Sequence, residues 1–119
     1  MDAVAVVGAG ACGTSLACVL GERYREVTLW VYEADLATEM ARTRENAAYL
    51  PGAQLSVAVR PTSSLDDAVR GKELVILVVP SHVFRGIVGK VAPFLAPGVI
   101  LVSATKGLEV ATLCTMSRI

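Results

Sequence analysis

Aromatic residues are scarce in this chain of 119 residues: one Trp, three Tyr and two Phe make up 5% of it. Histidine occurs once, as His82, and cysteine three times, as Cys12, Cys18 and Cys114, without the paired spacing of a zinc site. No metal is expected, and the odd cysteine count reads as free thiols in a reducing compartment. Net charge is missing too, because eleven Lys and Arg balance eleven Asp and Glu. That balance removes the broad basic face on which nucleic-acid binding depends. Charged residues are absent altogether from 3–21, 74–84 and 91–105. The first of these stretches is not expected to be a leader or a membrane span: Asp2 precedes it, and Gly8, Gly10, Gly13, Thr14 and Ser15 interrupt it.

What the chain does hold is apolar surface, with 54% hydrophobic residues in a length that suits one domain over 1–119. Ala3 to Val7 reads as a strand, Thr14 to Leu20 as a helix, and Val27 to Tyr32 as a second strand. An amphipathic helix is expected over Asp35 to Arg44, carrying Leu36, Met40 and Ala41 on one side. Glu45 to Ser56, with Pro51-Gly52, reads as a long connection with turn chemistry. Val57 to Arg60 is a short third strand, followed by a short helix capped through Ser63-x-x-Asp66. Leu74 to Val79 and Val99 to Val102 are continuous apolar runs without alternation, so both faces of each strand should be covered. His82 to Val91 between them is helical, with Val83, Ile87 and Val91 at spacing four, and the remainder from Leu108 reads as the beginning of another helix. Strands alternating with helices at such short connections imply an α/β fold with a doubly wound parallel sheet and helices on both faces.

Gly8-Ala9-Gly10-Ala11-Cys12-Gly13 fits G-x-G-x-x-G and stands between a strand and a helix, where a dinucleotide-binding turn of Rossmann type belongs. Gly8 allows the tight turn, Gly10 lets a pyrophosphate approach the backbone, and Gly13 lets helix and strand pack closely. The N–H groups opening the helix carry about half a positive charge, so phosphate needs no Lys or Arg there. The acid that takes the adenosine ribose is expected at the end of the second strand, where Val31 occupies its usual place and Glu33 follows two residues later. No Arg follows closely to take a 2′-phosphate, which favours NAD over NADP. Tyr32 reads equally as an adenine-packing face or as a surface aromatic. Cys12 is read as a residue that packs the loop, since a nucleophile needs a base and His82 is the sole imidazole.

Ligands of an open parallel sheet lie outside the carboxyl ends of its strands. Two segments leave those ends here, Val79-Pro80-Ser81-His82 and Ser103-Ala104-Thr105-Lys106-Gly107. Lys106 follows fifteen uncharged residues. A lone cation is thereby delivered to the rim of an apolar crevice, where it could hold a phosphate or a carbonyl oxygen that gains charge.

Five stretches together resemble the NAD(P)-dependent glycerol-3-phosphate dehydrogenases: Gly-Ala-Gly-x-x-Gly-Thr-Ser at 8–15, Val-Thr-Leu-Trp at 27–30, Thr-Arg-Glu-Asn-x-x-Tyr-Leu-Pro-Gly at 43–52, Val-Val-Pro-Ser at 78–81 and Ser-Ala-Thr-Lys-Gly-Leu-Glu at 103–109. The likeness runs along essentially the whole chain. It implies hydride transfer between sn-glycerol 3-phosphate and dihydroxyacetone phosphate in the cytoplasm, feeding phospholipid synthesis, with Lys106 touching substrate and cofactor. A homodimer of the full-length protein is the expected assembly. Two departures stand out: Ala11-Cys12 where the family often has Ser-Trp, and Val31-Tyr32 where many bacterial members have Gly-Arg. The second points away from NADP. The resemblance also implies an α-helical second domain, beyond this chain, that carries the acid-base lysine and grips the substrate phosphate. Lys72, expected in a turn, and Lys90, expected on an exposed helix face, do not replace that lysine, so the 119 residues alone are expected to be inactive. Two alternatives stay open on the residues themselves: a stand-alone nucleotide-sensing module, and a related hydroxyacid dehydrogenase.

Overall fold

A computed structural model describes residues 3–104 of the chain. β1 (Ala3–Val7) leads into α1 (Ala11–Leu20), and β2 (Glu26–Trp30) into α2 (Ala34–Thr43). Two short strands, β3 (Glu45–Asn46) and β4 (Leu50–Gln54), then pair antiparallel with each other before the main pattern resumes. β5 (Val59–Thr62) is followed by α3 (Leu65–Val69), and β6 (Leu74–Leu77) by α4 (Ser81–Val91), a 3-10 turn at Ala92–Phe94 and β7 (Ile100–Ser103).

Five strands pair in parallel in the order β5-β2-β1-β6-β7. The chain builds outward from β1 through β2 to β5, crosses back, and starts again on the other side of β1 with β6. This is the doubly wound Rossmann-type sheet expected from the sequence. Its reversal lies between β1 and β6, and it leaves a crevice outside the carboxyl ends of those two strands.

Alternate side chains of β1 explain why its sequence shows no polar face. Ala5 and Val7 point into a core completed by Ala68, Val69, Val75, Leu77, Phe84, Ile87 and Val91, which lies under α3 and α4. Val6 points the opposite way, into a core with Ala17, Val27, Leu29, Ala37, Met40 and Val59 under α1 and α2. A central strand covered on both sides has no position left for a polar residue. Among the described residues buried polar groups are correspondingly few and each is bonded: the hydroxyl of Thr28, for one, donates to the carbonyl of Ala68 at 2.6 Å, and the indole N–H of Trp30 to that of Ser63 at 3.1 Å. Lys72, 6% exposed, sets its Nζ 3.1 Å from a Glu26 carboxyl oxygen.

Several sequence expectations are corrected. α1 begins at Ala11, three residues before Thr14, since the glycine turn itself supplies the helix start. The connection Glu45 to Ser56 contains the β3–β4 pair. β5 lies two residues later than expected, and α3 is capped by Ser64, whose hydroxyl accepts from the Asp67 N–H, one position beyond the Ser63-Asp66 pairing. β6 ends at Leu77, with Val78 and Val79 in the turn. In α4 the buried face is Phe84, Ile87 and Val91, because Val83 faces outward at 38% exposure. In α2 it is Ala37 and Met40, with Leu36 packed against the same core and Ala41 exposed. β7 is exposed along its whole length, against the expectation of two covered faces. It is the edge strand of the sheet, paired only with β6 among the described residues. The helix expected from Leu108 lies outside the described residues.

Candidate dinucleotide site

The three glycines of the first turn differ in what forbids a side chain. Gly8 has φ of 127°, and a Cβ on it would stand 2.3 Å from the carbonyl oxygen of Val78. A Cβ on Gly13 would stand 1.9 Å from the carbonyl oxygen of Gly8. Both positions are therefore closed by the protein's own backbone, which welds the β1 turn to the β6 turn and to α1. Gly10 is different: a Cβ there meets nothing within 4 Å. The fold does not need a glycine at that place, so the open volume suits an outside group that must approach the backbone.

Two helices begin at this reversal without a side chain over their first turn. α1 starts from Gly10 and α4 from Pro80, neither with a side-chain cap, and neither first turn holds an acidic residue. Their leading N–H groups present positive potential to the same space. A cleft of about 830 Å³ lies there, walled by Gly8, Ala9 and Gly10 from the first turn, Val78 to Val83 from the second, and Trp30, Tyr32, Glu33 and Tyr49 at the far end. Ala104, at the end of β7, reaches it as well.

The β3–β4 pair ties both ends of the cleft together. Asn46 is fully buried, and its amide donates to the carbonyl of Ala9 at 2.8 Å and to the hydroxyl of Thr14 at 2.9 Å. Thr14 donates in turn to the same Ala9 carbonyl at 3.3 Å. The conformation of the glycine turn thus depends on a residue more than thirty positions downstream. Three residues beyond Asn46, the Tyr49 N–H donates to the Asn46 side-chain oxygen at 3.2 Å, and the Tyr49 hydroxyl donates to Glu33 at 2.6 Å. That bond to the carboxylate, together with its negative charge, raises the phenol above its ordinary range.

Of the residues singled out in the sequence, Gly8, Ala9, Gly10, Tyr32, Glu33 and Pro80 line the cleft. Ala11, Cys12 and Gly13 do not; Gly13 is buried against Gly8, while Ala11 and Cys12 are exposed on the first turn of α1. The exposure of Cys12 corrects its reading as a loop-packing residue. Val31, at the position usual for the acid, is buried in the core under α1 and α2, so the acid facing the cleft is Glu33. Tyr32 is 79% exposed, with its ring edge-on to Trp30 at 6.1 Å between centroids. Lys90 is exposed as expected and also borders the cleft, from α4. Lys106 and Gly107 lie outside the described residues. Sequence reasoning missed the structural parts of Asn46 and Tyr49. The Asn-x-x-Tyr spacing was visible, but nothing local says that an Asn in a turn-rich stretch packs under a distant glycine loop.

Among the described residues no group of three or more His, Cys, Asp or Glu is placed to hold a metal ion, and no helix is long and apolar enough to cross a membrane.

Comparison with known proteins agrees with this geometry. The glycerol-3-phosphate dehydrogenase of Geobacter sulfurreducens, NAD(P)+-dependent by name, is 48% identical over 118 residues, which are 99% of this chain and 35% of that protein. The enzyme of the same name from Syntrophobacter fumaroxidans is 47% identical over 98% of this chain and 34% of its own length. The chain therefore spans about a third of the length of these relatives. A crystal structure of glycerol-3-phosphate dehydrogenase from Coxiella burnetii superposes with a TM-score of 0.86 at 31% identity, over 92% of this chain and 34% of that one. A family model described as the N-terminus of NAD-dependent glycerol-3-phosphate dehydrogenase matches residues 3–119, and the chain belongs to that family.

Proposed function

We propose that this chain is the dinucleotide-binding domain of a longer enzyme that interconverts sn-glycerol 3-phosphate and dihydroxyacetone phosphate with NAD or NADP. The observation that carries the reading is the pair of uncapped helix starts at Gly10 and Pro80, which face one cleft beside a glycine whose missing side chain serves no packing need. A pyrophosphate has what it requires there: backbone N–H groups, helix dipoles and room. The residues fit the cofactor. Gly8, Ala9 and Gly10 shape the turn, Ala11, Cys12 and Gly13 offer N–H groups from the first turn of α1, and Pro80 opens the second helix start. Glu33 and Tyr32 stand at the ribose and adenine end. When bound, the nicotinamide ring supplies the hydride chemistry of the reaction.

The substrate side rests on family membership and on sequence. Lys106 is the cation proposed to hold the substrate at the open end of the cleft, and a second domain of the longer protein is proposed to bring the acid-base lysine and the grip on the substrate phosphate. The reaction belongs in the cytoplasm, where the free thiols of Cys12 and Cys18 would stay reduced, and its product is a phosphorylated glycerol backbone for phospholipid synthesis. A homodimer of the full-length protein is part of this reading.

Calorimetric titration with NADH and NADPH tests the cofactor assignment: saturable heat is expected, and its absence at millimolar ligand would overturn it. In the full-length protein Lys106→Ala should lower turnover of dihydroxyacetone phosphate far more than it weakens NADH binding. Equal turnover in that variant would remove Lys106 from the site.

A further inference from the structure

We infer that Tyr49 is a specificity-determining positioning residue, which fixes the Glu33 carboxylate at the adenosine-ribose end of the cleft so that the site takes a dinucleotide lacking a 2′-phosphate. The inference rests on the cofactor assignment above and adds to it a residue outside the glycine turn and outside β2.

Glu33 sits at the start of α2 with no side-chain cap bond of its own, on a part of the chain that leaves it free to rotate toward solvent. Its carboxylate is held from the opposite direction, by the Tyr49 hydroxyl at 2.6 Å. Tyr49 is itself located by its N–H bond to Asn46, and Asn46 is buried against the glycine turn through Ala9 and Thr14. One short segment therefore sets the distance between the pyrophosphate end and the acid. Glu33 and Tyr49 both border the cleft, so the pair faces the space assigned above to the dinucleotide.

The chemistry follows from the donor count. A phenol that donates into one carboxyl oxygen leaves the other to accept from vicinal ribose hydroxyls. A 2′-phosphate in the same place would bring a dianion against a fixed carboxylate, with only the 3′-hydroxyl left to donate. Among the described residues, the two arginines of the segment that follows Glu33 are engaged elsewhere: Arg42 pairs with Glu39, and Arg44 donates to the carbonyls of Ser56 and Val59. Lys90 enters the cleft from α4 and not from the segments that hold Glu33. The raised phenol of Tyr49 accords with the same contact.

Fluorescence titration of the intact protein with NADH and with NADPH, in wild type, Tyr49→Phe, Glu33→Gln and the double variant, decides the matter. Wild type is expected to bind NADH more tightly. Glu33→Gln should cut the NADH-to-NADPH preference by about tenfold, and Tyr49→Phe by about threefold to fivefold, in line with one partly exposed hydrogen bond to a charged group. Since Tyr49 acts through Glu33, the double variant should match Glu33→Gln alone. A second readout needs no ligand: the phenol titration seen as the difference in ultraviolet absorbance between wild type and Tyr49→Phe should move to lower pH in Glu33→Gln. Equal weakening of both ligands in Tyr49→Phe, full additivity in the double variant, or an unmoved phenol titration would each overturn the role of Tyr49. Failure of wild type to bind either ligand would instead overturn the cofactor assignment.

Discussion

A methyl group added to Gly10 would enter empty space, whereas one added to Gly13 would collide with a backbone carbonyl at 1.9 Å. The motif places the two residues in the same pattern, yet they answer to different demands, one to a ligand and one to the packing of α1 on β1. Gly10 has φ of −69°, which any residue can adopt, so Gly10→Ala should change folding stability by about 1 kcal/mol or less, the scale of an N-cap exchange. Its loss should appear in dinucleotide affinity. Gly13→Ala should cost about 1–3 kcal/mol or more, since the obstacle is main chain that can yield only by moving the helix. Urea denaturation alongside NADH titration separates the two, and equal destabilisation would show that the space at Gly10 is not reserved for a ligand. The glycine spacing made this turn legible from sequence because each requirement is local. Asn46 was legible only as part of a resemblance, for its partners Ala9 and Thr14 lie more than thirty residues away and no local pattern encodes them.

Short elements depend on their ends more than long ones do, and α3 has only five residues, Leu65–Val69. A helix of that length does not form by propensity, so its cap and first-turn charges matter alongside the buried Ala68 and Val69. The Ser64 hydroxyl accepts from the Asp67 N–H at 3.4 Å, and the Arg60 guanidinium donates to the Asp67 carboxylate at 2.8 Å. That ion pair holds the Asp67 carboxyl below its ordinary range, and the Ser64 hydroxyl does the same for Asp66. The sign is fixed by the direction. A folded-state value lower than the unfolded one, about 3.9, gives stability that is fully present above the unfolded value and is lost as pH falls through the folded one. Asp67→Asn should therefore flatten the acid side of the stability curve below about pH 4, read as the urea midpoint against pH. Parallel curves for the variant and wild type would show that Asp67 contributes nothing to acid sensitivity. The sequence announced a serine cap here but misplaced it by one, since Ser63 and Ser64 each have an Asp three residues later. Only the turn out of β5 chooses between them. The β3–β4 pair was hidden for a related reason: Pro51 and Gly52 argue for a turn, and they sit within β4 because, among the described residues, that strand pairs only with β3.

At the scale of the whole sheet, the two strands that read alike in sequence, Leu-Val-Ile-Leu and Ile-Leu-Val-Ser, meet opposite fates because one is central and the other is an edge. Continuous apolar runs say that a strand is suited to cover on both sides. They do not say which chain segment provides the cover. β6 has β1 and β7 beside it and sends Val75 and Leu77 into the core under α3 and α4, and Val75, Ile76 and Leu77 are buried. β7 lies at the end of the order, with Ile100, Leu101 and Val102 between 41% and 51% exposed. A pair of matched truncations measures the contrast. Leu77→Ala removes a side chain that is 1% exposed and should cost about 2–5 kcal/mol, the usual range for opening a cavity in a packed core. Leu101→Ala, at 45% exposure, should cost less than about 1.5 kcal/mol, since much of its surface remains in water when folded. Denaturant unfolding of both variants of the 119-residue chain checks this against one baseline. Equal costs would mean that β7 is covered in solution on faces that stand open among the described residues, and the edge would then belong to the core.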